Sequence, residues 1–319
     1  MAHLVETMAY MGQTPWHDLG HQLPAQQPIE VWAQQAGMDW DIRETPVRYI
    51  TGAAGNLGAI ESFPEQKVLF RSDTNAPLSV VSQRYQVVQP REILEFYRDL
   101  SEVSGFELET AGVLKGGRKF WALASTGKST TLKGKDVSRG YVLLATACDG
   151  TLATTAQFTN IRVVCNNTLA IALGNKTGAV RVPHNTRFDP QLVKKQLGIS
   201  VASWTDFMDR MKALSERKMK SPEVQRFFLQ VFTDHNSQAA GVTNESAMTK
   251  ALSLYEGRGK GAELPSAKGT AYGLLNAVTE FVDHERRARS TDYRLDSAWF
   301  GQGAVLKQKA LDQALLLVA

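Results

Sequence analysis

Basic side chains between residues 115 and 139 are the strongest chemical feature of this chain. Seven cations stand against a single acid, Asp136, whereas the 114 residues before them carry seven basic and 15 acidic side chains. Like charges held on neighbouring strands repel one another, and a polyanionic partner removes that repulsion. Lysines at strand ends that protect sheet edges are the alternative. The segment predicts a phosphate-binding surface formed by Lys115, Arg118, Lys119, Lys128, Lys133, Lys135 and Arg139.

Aromatic side chains are interleaved with these cations. Trp121 and Tyr141 are candidates for stacking on nucleic-acid bases, which contributes roughly 1–3 kcal/mol per base. The alternative for Trp121 is a place in the hydrophobic core. Arg162 lies on the apolar run Ile161–Cys165, where it either faces the same groove or forms a buried ion pair.

A second basic cluster follows the apolar stripe of a predicted helix. Within its eleven residues only Glu216 opposes the five cations, which are Arg210, Lys212, Arg217, Lys218 and Lys220. Cations near the C-terminus of a helix are stabilised by the helix dipole in any case. A solvated helix end is therefore the preferred interpretation, and participation in the phosphate-binding surface is the alternative.

A metal site near the N-terminus is the main alternative chemistry. His17, Asp18 and His21 have suitable residue types, but Pro15 and Gly20 place them in an irregular segment without evident supporting residues. The chain also lacks the glycine-rich signatures of nucleotide-binding loops. We therefore predict no metal and no cofactor.

The remaining histidines, acids and cysteines form no catalytic pattern. Asp283, His284 and Glu285 are adjacent on a predicted helix, so that their side chains diverge by about 100° per residue, and His284 is expected at a surface or an interface. Cys148 and Cys165 lie in apolar strand-like runs, which favours buried free thiols. No apolar run reaches the roughly 18 residues of a membrane span. We expect a non-catalytic protein of a reducing cytoplasm, with no membrane partner.

The periodicity of apolar residues predicts an α+β fold. Its first half is expected to be an antiparallel sheet with a packed helix, and its second half mostly helical. We place the domains at residues 1–178, which include a basic β-hairpin region, and at 179–319.

Three local expectations follow from turn and helix signals. Pro90 suits the first turn of a helix over Pro90–Val103. Asp149-Gly150 between two strand-like runs predicts a hairpin turn, because both positions tolerate positive φ. A loop rich in Gly, Ser, Thr and Lys is expected at 127–138, and a short helix at Leu169–Leu173.

Longer strings of the sequence carry a family resemblance. They are Met11–His17, Glu109–Gly112 with Gly116–Arg118, Asp149-Gly150, Phe158–Leu169 and Asn276–His284. On these strings the chain resembles the phage/plasmid-like protein family that carries the domain of unknown function 932. The resemblance implies a gene carried on phages, prophages or plasmids, and it brings no established biochemical role.

A looser similarity, of architecture alone, is to single-strand annealing proteins, which form rings or filaments that hold single-stranded DNA in a positively charged groove. The leading hypothesis is a non-catalytic homo-oligomer that binds single-stranded DNA in recombination or replication. One alternative is a metal-dependent accessory enzyme of mobile-element DNA metabolism. The other is an anti-defence protein whose helical half binds a host factor, with Trp299 and Phe300 exposed.

Overall fold

The protein is a mixed α/β structure with a strand-rich first half and a helical second half, as the sequence predicts. The computed structural model describes residues 5–12, 20–52, 58–104, 106–170, 179–202, 204–233 and 243–319. Among these residues, no helix is long and apolar enough to cross a membrane.

The described residues form two sheets, and the strands in them pair mainly antiparallel. The strands are β1 (Val5–Met11), β2 (His21–Leu23), β3 (Ile42–Ile50), β4 (Ile60–Arg71), β5 (Pro77–Ser82), β6 (Glu107–Leu114), β7 (Lys119–Leu132), β8 (Asp136–Ala147), β9 (Thr154–Arg162), β10 (Asn167–Ala170) and β11 (Ala179–Val182). The larger sheet has the order β10-β9-β8-β7-β6-β1-β2, with β11 also paired to β9, and the smaller sheet has the order β3-β4-β5.

Among the described residues, two α-helices precede the last strand and seven follow it. They are α1 (Ile29–Gln35), α2 (Pro90–Ser104), α3 (Pro190–Ala202), α4 (Trp204–Glu216), α5 (Ser221–Phe232), α6 (Glu245–Ser253), α7 (Ala271–Glu280), α8 (Thr291–Phe300) and α9 (Gln302–Leu315). A short 3₁₀ turn lies at Lys115–Gly117, and π-helical turns follow α6 at Leu254–Arg258 and α7 at Phe281–Glu285. Such π turns are rare in proteins, and those that occur are often found at functional sites.

The chain divides into two compact units that are discontinuous in sequence. Unit 1 comprises Met1–Ala124, Val142–Gln157 and Ala179–Leu197, and unit 2 comprises the remaining residues. Strands β7, β8 and β9 contribute residues to both units. The domains placed at 1–178 and 179–319 stay a prediction.

In unit 1, helix α2 begins at Pro90 as predicted and buries Ile93, Leu94, Phe96 and Tyr97. The Tyr97 hydroxyl lies 2.7 Å from the carbonyl oxygen of Ala122 on β7 and 3.0 Å from that of Val142 on β8. The predicted connection at Asp149-Gly150 does join the neighbouring strands β8 and β9, and Gly150 has φ of 74°. It is longer than the two-residue turn expected, because β8 ends at Ala147 and β9 starts at Thr154.

Two local predictions are wrong. Residues 127–138 are not a loop, because β7 extends to Leu132 and β8 starts at Asp136, leaving a tight turn between them. The short helix expected at Leu169–Leu173 also fails where the structure describes it. Asn167–Ala170 form strand β10, paired to β9 with Asn167 opposite Arg162, since the neighbouring strand edge overrides the local cap signal.

Candidate functional site

The turn between β7 and β8 in unit 2 carries two of the predicted phosphate-binding lysines. Lys133 and Gly134 both have positive φ, 45° and 79°, as a type I′ turn requires. The Lys135 amide donates to the Leu132 carbonyl oxygen at 3.3 Å and closes the turn. Lysine is an unusual residue in the left-handed region. Lys133 and Lys135 are both exposed at the tip.

The Lys133 side chain connects this turn to helix α4. Its ammonium donates to the carbonyl oxygen of Ser215 in the last turn of α4 at 2.6 Å. At the other end of α4, the Trp204 indole donates to the Thr130 hydroxyl on β7 at 3.1 Å. Helix α4 therefore runs along the hairpin, and the tip of the hairpin meets the second basic cluster of the sequence. This contact agrees with the alternative interpretation of the second cluster, in which it lies beside the predicted phosphate-binding residues.

The hairpin presents its cations on two faces. A Cβ at Gly140 would lie 3.1 Å from the Trp204 ring, so that Gly140 faces α4. Because side chains alternate along a strand, Arg139 faces the opposite side, where it is exposed. Lys128 is half-buried and shares the face of Thr130, two positions along β7. The predicted groove is thus divided: Lys128 lies on one face of the hairpin and Arg139 on the other.

Exposed cations nevertheless concentrate at the end of the hairpin and near the C-terminus of α4. We call this set the basic cluster: Lys133, Lys135, Arg139, Arg210, Lys212, Lys218 and Lys220, all of them exposed. Arg217 is excluded, because its guanidinium donates to Glu223 at 2.6 Å. Glu216 is the exposed acid within the same stretch. In unit 1, Arg118 is exposed and Lys115 half-buried.

Four predicted contact residues lie in the interior. Lys119 is 4% exposed, Trp121 2%, Tyr141 5% and Arg162 2%. The prediction that Trp121 and Tyr141 offer ring faces to bases is corrected here, because both rings are enclosed by protein. Lys119 is likewise removed from the phosphate-binding set. Trp299 and Phe300, expected to be exposed, are half-buried. Their rings pack edge to face, with centroids 6.0 Å apart.

Arg162 forms the buried ion pair that was the second possibility for it. Its Nε lies 2.8 Å from Oδ1 of Asp136, and its Nη2 lies 2.6 Å from Oδ2. The Ser266 hydroxyl donates to the same carboxylate at 2.5 Å. Burial opposes the charged guanidinium, but the hydrogen bonds to Asp136 raise the pKa of Arg162. The pair is therefore a fixed structural element and not a ligand-binding group.

Backbone atoms complete the coordination of Arg162. Its Nη2 donates to the Gly261 carbonyl oxygen at 3.0 Å and its Nη1 to that of Lys260 at 3.4 Å. Gly261 has φ of 72°, and a Cβ there would lie 3.0 Å from Arg162 Nη2 and 2.8 Å from Val164. Only glycine fits this close approach without strain. The glycine-rich segment after the first π turn thus has an interior role.

A second buried ion pair joins β10 to the helices. Lys307 on α9 donates to Asp283 Oδ1 at 2.8 Å and to the Thr168 hydroxyl at 2.7 Å. The Thr168 amide donates to Asp283 Oδ2 at 2.7 Å. Burial lowers the pKa of Lys307, although Asp283 opposes the shift.

His284 completes this network beside Asp283 on the π turn. Its Nε2 lies 2.8 Å from the Cys165 carbonyl oxygen and 3.1 Å from Asn167 Oδ1, so that this nitrogen carries the proton. Asn167 in turn donates to the Asn276 carbonyl oxygen at 3.2 Å. His284, expected at a surface or an interface, is half-buried. The divergence of Asp283 and His284 is confirmed, because they bind different partners.

The two buried ion pairs and their hydrogen-bond partners tie strands to helices within unit 2. Their charged atoms are enclosed and mutually satisfied, so that they are suited to holding the fold and not to turning over a substrate. Sequence reasoning missed Asp283 and Lys307 because their partners lie 115 and 139 residues away in the chain.

His284 makes the stability of unit 2 sensitive to acid. Burial lowers the pKa of His284 below its ordinary value of 6.5. The unfolded chain therefore takes up this proton first, and stability decreases as the pH falls below about 6.5. In His284→Gln we expect the free energy of unfolding to fall less steeply from neutral pH to about pH 5, measured by urea denaturation at several pH values. A slope equal to that of the wild type would contradict this role.

The remaining sequence predictions concern the possible metal site near the N-terminus and the two cysteines. His17 and Asp18 lie outside the described residues. Within the part that is described, no group of three or more His, Cys, Asp or Glu side chains could hold a metal ion. Cys148 and Cys165 are buried free thiols, as predicted, and burial raises the pKa of each to about 12.

Fold and site together define a mixed α/β protein. In its unit 2, buried ion pairs connect strands to helices, and the basic cluster is exposed. The chain belongs to the DUF932 family, described as a domain of unknown function, whose model matches residues 77–299. The matched range includes β7 to β10 and the first nine residues of α8, up to Trp299, and Lys307 lies beyond it. No curated protein and no solved structure matches this chain.

Proposed function

We propose that this protein binds single-stranded DNA without catalysis, through the basic cluster of unit 2. The observation that carries the proposal is the hydrogen bond from Lys133 to the Ser215 carbonyl oxygen. It brings together two cationic segments that are about 80 residues apart in the chain and that repel each other in the absence of an anion.

The charges of the cluster are mostly uncompensated. Lys135, Arg139 and Lys212 form no ion pair with any residue that the structure describes. Exposed cations without acidic partners gain by displacing counterions from a nucleic-acid backbone, and this gain needs no specific base contact. Since Trp121 and Tyr141 are buried, the binding energy would come from phosphates, and we expect little dependence on base sequence.

Salt dependence tests this function directly. Fluorescence anisotropy with a labelled thymidine oligomer should show affinity falling by about 100-fold between 50 and 200 mM salt, if about five phosphates are neutralised on a single strand. Association that is micromolar or weaker at low salt and insensitive to salt would eliminate the proposal. Duplex DNA and RNA of equal length compare the partners, and gel analysis with divalent metal, with and without chelator, separates binding from cleavage.

The biological setting is part of the same proposal. We propose a homo-oligomer in the cytoplasm of a bacterial host that acts in recombination or replication of phage or plasmid DNA. The family resemblance supports the setting, and the uneven charge along the chain supports head-to-tail association of acidic and basic regions. Analytical ultracentrifugation at low and high salt would reveal such an association, and a monomer at both salt concentrations would contradict it.

A further inference from the structure

A cavity of 680 Å³ opens within unit 2, away from the residues of the basic cluster. It lies where the end of α5, the start of α6, α9 and the chain after the second π turn meet. Its apolar wall is formed by Val231, Phe232, Phe281 and Leu306. Phe232 and Phe281 contact each other edge to face, with ring centroids 5.7 Å apart. The volume is within the range of small-molecule sites, about 300–1,000 Å³.

Four cations line the same cavity, and none of its described lining residues is acidic. They are Lys250, Arg286, Arg287 and Lys309. Lys309 is accounted for in part, because it donates to the Thr233 carbonyl oxygen at 2.7 Å at the C-terminus of α5. An ammonium has three donors, however, and this contact uses one. Lys250 and Arg287 are exposed and make no such helix-end contact among the residues described.

Of these four cations, Arg286 gives the strongest indication of an anionic ligand. It is half-buried, and its Nη1 has a long contact of 3.4 Å to the Ser297 hydroxyl. Burial lowers the pKa of Arg286, and no acid among the described residues offsets the effect. A partly desolvated guanidinium that has no carboxylate partner among the described residues is stabilised when an anion from solution joins it. The position of Arg286 therefore indicates an anionic ligand in the cavity.

We propose that this cavity binds a nucleotide, with the phosphates on Arg286, Arg287 and Lys309 and the base against the apolar wall. A site with several cations matches a ligand that has several negative charges better than it matches a ligand with one carboxylate. Asn244 and Gln302 also line the cavity and offer amide groups to a heterocycle. Asn244 Oδ1 accepts from the Ala247 amide at 3.1 Å, which leaves its amide nitrogen to donate to the ligand. The site is independent of the basic cluster and of any glycine-rich loop.

Isothermal titration calorimetry of the full chain with ATP, adenosine and tripolyphosphate tests the site. We expect ATP to bind at least about tenfold more tightly than adenosine or tripolyphosphate. Adenosine lacks the phosphates that the cations would bind, and tripolyphosphate lacks the base that would pack against the apolar wall. Arg287→Gln, an exposed change that leaves the core intact, and Arg286→Gln should each weaken ATP binding by about tenfold. Arg226→Gln, on the exposed side of α5, is the matched control and should bind ATP as the wild type does.

Each contrary result overturns the proposal. Absence of ATP binding at millimolar concentration would do so, and so would tripolyphosphate binding as tightly as ATP, which would indicate a non-specific polyanion contact. An equal loss of ATP affinity in Arg226→Gln would show that the overall charge of the protein, and not the cavity, determines binding. Variants of the basic cluster should retain ATP binding, so that failure of DNA binding and failure of this site are separate outcomes.

Discussion

Replacing Arg162 with methionine is expected to lower the free energy of unfolding by about 3–5 kcal/mol. Methionine fills a similar volume, but the Asp136 carboxylate is then buried with the Ser266 hydroxyl as its remaining side-chain donor. The carbonyl oxygens of Lys260 and Gly261 also lose their donor. Urea denaturation followed by circular dichroism measures the effect.

The matched control is an exposed ion pair of the same unit. Lys268 lies 2.5 Å from Glu263 with both side chains about two-thirds exposed. Lys268→Met should change stability by less than about 1 kcal/mol, since exposed pairs are screened by water. The double variant Asp136→Leu, Arg162→Met should recover much of the loss, because it leaves no buried charge. A loss in Arg162→Met as small as that in Lys268→Met would show that the pair contributes nothing.

Reversing three charges of the basic cluster should reduce affinity for single-stranded DNA by about 100-fold at low salt. The variant is Lys135→Glu, Arg139→Glu, Lys212→Glu. Each lost phosphate contact lowers the salt slope by roughly 0.7 on a single strand, so that the slope should fall by about two. All three side chains are exposed, and the fold should therefore survive the change. Lys133 is spared because it holds the hairpin to α4.

A control of equal charge isolates position from net charge. Arg43, Arg48 and Arg187 are exposed in unit 1, and their triple replacement by glutamate changes the net charge by the same amount. This variant should lose only a minor part of the affinity, through long-range attraction. If the two triple variants lose affinity equally, binding depends on overall charge and the basic cluster has no special role.

Local signals in the sequence predicted what depends on a few neighbouring residues. Pro90 and the spacing of Ile93, Phe96 and Tyr97 were sufficient for helix α2. The connection at Asp149-Gly150 and the burial of both cysteines followed in the same way. The strings that carry the family resemblance were sufficient for membership of the family.

The burial of charged and aromatic side chains could not be predicted in this way, because it depends on partners that are distant in the chain. Lys119 and Trp121 belong to a basic segment by sequence but face the interior. The length of the β7–β8 hairpin was missed because Gly, Ser, Thr and Lys are typical of loops, whereas pairing between strands decided the outcome. The cavity of unit 2 is lined by residues from 231 to 309, and no spacing in the sequence links them.

The enclosed thiols have a practical consequence for spectroscopy. The chain has two cysteines, and both are inaccessible and almost wholly protonated at neutral pH. A maleimide dye would therefore react selectively with a cysteine introduced at Ser129, an exposed position on the hairpin. A fluorophore at that position would report on events at the hairpin in the otherwise native chain, with both natural cysteines retained.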